Sequence, residues 1–207
     1  MSNKPLSIPQ ALPIMEHFFT IQGEGFHSGR AAYFIRTAGC DVGCVWCDVK
    51  ESWTISEDQW MTIAEIIEHV QAVNADFVVI TGGEPTMHSL ITLVSSLQAL
   101  QIEVAIETAG VHHLDAPIDW YCFSPKKFMK PIEEAYLKAN ELKVVINHLS
   151  DFAWAEEHAA KVNASCKLFL QPEWEKHEKL LPAIIDYVKG NQKWNISLQT
   201  HKYMNIP

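Results

Sequence analysis

Seven short runs of apolar, mostly β-branched or aromatic residues recur along this 207-residue chain, and each stops abruptly in polar or glycine-rich sequence. They occupy 32–36, 77–81, 103–107, 120–123, 142–146, 167–171 and 195–199. Continuous apolar runs of this length are the pattern of parallel strands covered on both faces. Amphipathic stretches lie between several of them, at 63–73 with Thr62 placed to cap it, 89–100, 151–162, and 178–188 with Pro182 near its start. The connections after Thr108 and Ser124 are poor in helix. The pattern predicts an α/β chain of six to seven mostly parallel strands, an incomplete TIM-like βα barrel falling short of the usual eight strands and about 250 residues. A flavodoxin-like open sheet is the alternative, although it usually has five strands with helices on both faces. No linker or low-complexity stretch divides residues 1–207, so one domain is expected.

Parallel strands bring all of these polar ends to one edge of the sheet, the edge where barrel enzymes place their chemistry. The formal charge of −9 argues against a broad nucleic-acid-binding face. No apolar run approaches the roughly 18 residues of a membrane span, and residues 1–10 carry no secretory core. A cytoplasmic protein acting on a small molecule is expected, with neither nucleic acid nor membrane as partner.

Three of the five cysteines stand together as Cys40-x3-Cys44-x2-Cys47. Random placement would give such a triplet only about 0.003 times per chain. An odd cysteine count does not suit a disulfide framework. Three thiolates fit three irons of a cubane cluster and leave the fourth open to a ligand. The competing reading is a structural zinc site completed by His17 or His27, although no second cysteine pair supports it. Cys122 lies inside a strand run and Cys166 just before one, so both read as small buried hydrophobes.

The cysteine triplet with Trp46, followed after the next strand by Gly82-Gly83-Glu84-Pro85, resembles the radical S-adenosylmethionine superfamily. Residues 21–25 (Ile-Gln-Gly-Glu-Gly), Arg36, Thr81, Ser124-Pro125-Lys126, Gln171-Pro172 and the stretch 199–207 further resemble the 7-carboxy-7-deazaguanine synthase family. The matches run from about residue 14 to residue 207. The resemblance implies a [4Fe–4S] cluster on Cys40, Cys44 and Cys47. It implies S-adenosylmethionine held by Trp46, Asp48, Gly83, Glu84, Ser124, Lys126 and Gln171. A glycine pair admits close backbone approach to a ligand, and a carboxylate suits an ammonium.

The implied substrate is 6-carboxy-5,6,7,8-tetrahydropterin, contacted by Ile21, Gln22, Gly23, Glu24, Arg36, Thr81, His201 and Pro207. A glutamine offers donor and acceptor to such an amide-rich edge, and an arginine grips a carboxylate in a fork. Only eight residues follow Gln199, so Pro207 is expected beside the site. The implied reaction is a radical ring contraction to 7-carboxy-7-deazaguanine with loss of ammonia, in 7-deazapurine (queuosine) biosynthesis. A flavodoxin-type reductant and a homodimer accompany it. Many members carry a threonine after Cys-Asp whose hydroxyl ligates Mg²⁺. Here that place is Val49, so a weaker or altered Mg²⁺ site is expected. A glycyl-radical activase shares the cysteine pattern but not the two ends of the chain, and a simple iron–sulfur electron carrier would not need Gly82-Gly83-Glu84-Pro85.

Overall fold

The computed structural model describes residues 10–47 and 49–207. Its nine strands form one sheet: β1 (Ala11–Ile21), β2 (Ala31–Thr37), β3 (Trp60–Thr62), β4 (Phe77–Gly82), β5 (Glu103–Thr108), β6 (Trp120–Phe123), β7 (Glu141–Ile146), β8 (Lys167–Pro172) and β9 (Trp194–Ile196). The spatial order is β3-β1-β2-β4-β5-β6-β7-β8-β9. From β2 through β9 every pairing is parallel, and these seven strands coincide with the seven apolar runs. The sheet is not closed by hydrogen bonds, as an incomplete barrel requires.

Two strands lie outside the expected set. β1 runs antiparallel to both β2 and β3. Its sequence mixes Pro13, Glu16 and His17 with apolar residues, and its pairing slips between Ile14 and Glu16. A strand with one irregularity and a half-exposed face has neither a continuous apolar run nor a clean alternation. At three residues, β3 is too short to show a period.

The helices are α1 (Ile63–Ala72), α2 (Ile91–Ala99), α3 (Glu133–Lys138), α4 (Asp151–Ala159), α5 (His177–Gly190) and α6 (Thr200–Met204). Thr62 caps α1 in a reciprocal box: its hydroxyl accepts from the Glu65 amide, and the Glu65 carboxylate accepts from the Thr62 amide at 2.8 Å. α2 begins two residues later than its apolar stripe, because the Asp115 carboxylate accepts from Ser89 Oγ and the Leu90 amide. α4 stops short of the expected 162, where Asn163 turns the chain by accepting from the Ser165 amide. α3 corrects the expectation of a helix-poor connection after Ser124; its Glu134–Lys138 pair spans one turn at 2.5 Å. Of the last apolar run only Asn195 and Ile196 are strand, within β9 (Trp194–Ile196). Beyond it the Ser197 hydroxyl donates to Gln171 Oε1 at 2.6 Å instead of extending the face.

The period of two along the strands divides the core. Tyr33, Ile35, Val78, Ile80, Val104, Ile106, Leu142 and Val144 pack against Ile66, Val70, Leu93, Leu97, Leu180 and Ile184 of the helices. The opposite residues of the same strands, Ala32, Phe77, Val79 and Ala105 with Phe34 and Trp120, form a separate apolar layer on the concave face. The β1–β2 loop folds under that layer: Phe26 stacks on Trp120 at 4.7 Å, and Arg30 lies 3.9 Å over Phe77 while pairing with Glu103. The same loop reaches across the open side, where Gly25 N donates to Ser197 Oγ and Thr200 N to Gly23 O.

His158 of α4 is buried against Phe123, Tyr136 and Trp154, and shares a 2.9 Å hydrogen bond with the Tyr136 hydroxyl. Burial, with Lys161 nearby, pulls its pKa down to about 4. The unfolded chain therefore binds the proton first as pH falls, so this group's stabilisation is complete above about 6.5 and is lost toward 4. Thermal melts between pH 7.5 and 4.5 should fall less steeply for His158→Gln than for the unmodified protein; parallel slopes would remove His158 from the acid limb.

Candidate active site

A cavity of about 260 Å³ opens at the carboxyl ends of the parallel strands. Strand ends and the loops that follow them supply its walls, so the residues meet through topology rather than proximity in sequence. Cys40, Cys44 and Cys47 lie on the loop after β2 and line one side. Its backbone is tied down from two directions: Gly39 N donates to Ser52 O at 2.7 Å and Cys40 N to Trp53 O at 3.2 Å, while Gly83 N reaches Thr37 O and Glu84 N reaches Gly39 O. The three thiols pack with Val42, Ala109, Val111 and Met129, an apolar setting in which Cys44 is buried and Cys40 and Cys47 are half-buried. All three are free. Burial pushes the Cys44 thiol up to about 11 against the opposing charge of Lys126, and pushes Cys40 upward as well.

The Gly-Gly-Glu-Pro turn follows β4. Gly82 has φ = 143°, and a Cβ on Gly83 would lie 2.2 Å from Gly39 O. Only glycine lets this turn approach the cysteine loop so closely. Glu84 is buried and accepts from the Thr86 amide and hydroxyl, the Thr108 hydroxyl and the Ala109 amide. Lys126 donates to Ser124 O and Oγ at 2.9 and 2.6 Å and lies 5.7 Å from the Trp46 ring. Burial pulls its pKa down.

The remaining walls come from the other strand ends and the last segment. Ile21, Gln22, Gly23, Glu24, Arg36, Val49, Thr81, Gln171, His201 and Pro207 all line the cavity. Arg36 Nε pairs with Glu16 at 2.6 Å at the rim while the side chain also lines the cavity. Thr20 Oγ1 donates to Pro207 O at 3.2 Å, and Asn205 in the left-handed conformation turns the chain back toward it. Asp48 lies outside the described residues. Neither His17 nor His27 lines this cavity. His17 bonds the Tyr33 hydroxyl and His27 packs among Phe26, Phe77 and Trp120, which leaves the zinc reading without its fourth ligand.

Glu107, Lys143 and Gln199 also line the cavity, although the sequence assigns none of them a site role of its own. Lys143, with 3% of its side chain exposed, donates to Glu24 Oε2 at 2.6 Å and Glu107 Oε2 at 2.7 Å. Gln22 Nε2 donates to Glu107 Oε1 and Gln199 Nε2 to Glu24 Oε1. The alternation of each strand carried the missing signal. Thr81 and Glu107 lie two positions beyond Val79 and Ala105 of the concave apolar layer, Lys143 lies two beyond Glu141, which shares the level of Glu107 through Cys122, and all three line the cavity.

The Radical SAM superfamily profile matches residues 34–126. The 7-carboxy-7-deazaguanine synthase of Flavobacterium psychrophilum is 52% identical over 96% of this chain and 94% of that protein. The Synechocystis synthase is 41% identical over the full length of both, and the Escherichia coli synthase 34% over 94% and 98%. The crystal structure of QueE from Escherichia coli superposes with a TM-score of 0.83 at 31% identity, covering 91% of this chain and 93% of that one. The chain belongs to the 7-carboxy-7-deazaguanine synthase family. As a radical S-adenosylmethionine enzyme of that family it uses a [4Fe–4S] cluster and S-adenosylmethionine. The donor set fits both: three free thiols in an apolar setting, and beside them a glycine cradle that ends in a buried carboxylate.

A methyl group on Gly83 would strike backbone, which cannot swing aside as a side chain tip can. Gly83→Ala should therefore fold but hold less iron and sulfide after anaerobic reconstitution, with weaker visible absorbance. Full iron content at an unchanged melting temperature would show that the cysteine loop yields.

Proposed function

We propose that this cavity converts 6-carboxy-5,6,7,8-tetrahydropterin to 7-carboxy-7-deazaguanine with release of ammonia, a step of 7-deazapurine (queuosine) biosynthesis. The observation that carries this reading is the convergence in one cavity of the three thiols, the Gly83–Glu84 turn and a polar floor of Gln22, Glu24, Glu107 and Lys143. When bound, the cluster and S-adenosylmethionine supply reductive cleavage of a carbon–sulfur bond and hence a radical able to take hydrogen from an unactivated carbon. The chain's own residues bind, orient and exclude water. Cys40, Cys44 and Cys47 hold three irons. Glu84, with Gly83, receives the cofactor's ammonium. Trp46, Ser124, Lys126 and Gln171 surround the rest of it, with Asp48 assigned here by resemblance alone. Ile21, Gln22, Gly23 and Glu24 face the pterin edge, Arg36 and Thr81 its carboxylate side, and His201 and Pro207 close over it.

The reading includes a flavodoxin-type electron donor and a homodimer, both supported by the family resemblance. Five free cysteines suit a reducing cytoplasmic setting. Mg²⁺ belongs to it in weakened form. Val49 lines the cavity where the resemblance calls for a hydroxyl, and Mg²⁺ accepts only oxygen ligands while readily keeping waters.

Anaerobic incubation with dithionite, S-adenosylmethionine and the pterin, followed by mass spectrometry, should yield the deazaguanine and ammonia, with S-adenosylmethionine regenerated rather than consumed in proportion to product. Cys40→Ala, Cys44→Ala and Cys47→Ala should each abolish product and cluster absorbance, whereas Cys122→Ala and Cys166→Ala should keep the cluster. Cofactor cleavage that leaves the pterin intact would turn the reading toward an activase. Electron transfer with no cofactor cleavage would turn it toward a carrier. After chelation, Val49→Thr should raise the stimulation by added Mg²⁺ above that of the unmodified protein; a tight Mg²⁺ requirement that Val49→Thr leaves unchanged would remove the weakened site.

A further inference from the structure

The geometry points to Lys143 as a positioning residue: its ammonium locks Glu24 and Glu107 together as paired acceptors on the cavity floor, set to receive the N–H edge of the substrate. This deepens the proposed reading of the cavity as the pterin site and rests on it. Lys143 sits in mid-strand β7 on the concave face, where a lone cation would be strongly disfavoured. Two carboxylates from distant parts of the chain meet it, Glu24 from the β1–β2 loop and Glu107 from the end of β5. Each uses one oxygen for the ammonium. The other accepts from a glutamine amide, Gln22 on Glu107 at 2.9 Å and Gln199 on Glu24 at 2.8 Å. Gln22 in turn accepts from the Glu24 amide at 3.0 Å. All five side chains line the cavity, and the charges of Lys143, Glu24 and Glu107 sum to one negative. Such a floor favours a ligand edge rich in N–H donors, as a 2-aminopyrimidinone has.

The titratable groups around Lys143 come from every neighbouring element. Besides Glu24 and Glu107 they are Cys122 on β6, Glu141 at the start of β7 and Lys126 after β6; His201 of α6 acts on Glu24. Burial opposes the Lys143 charge, but Glu107 and Glu24 dominate and raise its pKa well above the ordinary range. Burial likewise raises Glu24, and Lys143, with Gln199 and His201, more than offsets this and brings it down to about 2. With the ammonium removed, two adjacent carboxylates cannot both stay ionised. The pair takes up one proton, a shift of about one to three pKa units or more, and one acceptor becomes a donor.

The test uses Lys143→Met, Lys143→Arg and the double variant Lys143→Met/Glu24→Gln, each checked for folding by its melt. In protein labelled with ¹³C at glutamate carboxyls, without substrate, Lys143→Met should add a titration between pH 6 and 8. The unmodified and double-variant proteins should lack it. Pterin affinity of Lys143→Met should be at least about tenfold weaker at pH 6.5 and recover as pH rises, with KM affected more than kcat. The unmodified protein should show no such recovery. Should Lys143→Met fold too poorly to titrate, Lys143→Arg decides: the charge remains but the wider fork spreads the carboxylates, so KM rises several-fold at every pH. No new titration in folded Lys143→Met, or an unchanged KM in Lys143→Arg, would overturn the assignment. The carboxyl titration needs no substrate, so failure of the unmodified protein to convert the pterin would count against the proposed reaction and not against the ammonium lock.

Discussion

A parallel sheet curved into an open barrel must fill its concave face with side chains from alternate positions, and everything else in this protein follows from how that face is filled. Its lower layer is apolar and sealed from beneath by Phe26 and Trp120. Its upper layer is charged, with Lys143 between Glu24 and Glu107. The division is not optional. Buried charge is tolerated only where partners repay its desolvation, and Lys143 finds them in Glu107 at the end of β5 and in Glu24 of the loop that crosses the open side. The outer face of the same strands is free to be uniformly apolar, because helices cover it.

The cluster loop illustrates a different economy. It is positioned by backbone contacts, through Gly39, Gly83 and Glu84 to the end of β2 and the turn after β4. Backbone contacts do not change with rotamer, so the thiols inherit the rigidity of the two neighbouring strands. That accounts for glycine at 82 and 83, where one position has φ = 143° and the other no room for a Cβ.

What the sequence revealed divides along the same physical line. The seven parallel strands were legible because burial on both faces leaves a continuous apolar run. β1 was not, because one half-exposed face and a slipped register erase both the run and the alternation. Cys40, Cys44, Cys47 and the Gly-Gly-Glu turn were legible as local motifs. Glu107 and Lys143 belong to no motif. Each is a polar residue inside an apolar run, and such a residue declares itself only when the concave register of its strand is known. Arg36 stood out by its position at a strand end, but its pairing with Glu16 could not be foreseen without β1.

The β1–β2 loop joins closure of the barrel to construction of the floor. Its Phe26 seals the apolar layer, its Gly23 and Gly25 hold the segment after β9, and its Gln22 and Glu24 complete the network around Lys143. Local opening of this loop would therefore break its hydrogen bonds to Ser197, Gln199 and Thr200 across the open side and remove two acceptors from the cavity at once. A ligand held by Gln22 and Glu24 must then oppose that opening by the free energy of its own binding, since it binds the closed arrangement alone. On the proposed assignment of Gln22 and Glu24 to the substrate, its occupancy and the integrity of the open side are one equilibrium, and the charge on Lys143 favours the closed side before any ligand arrives.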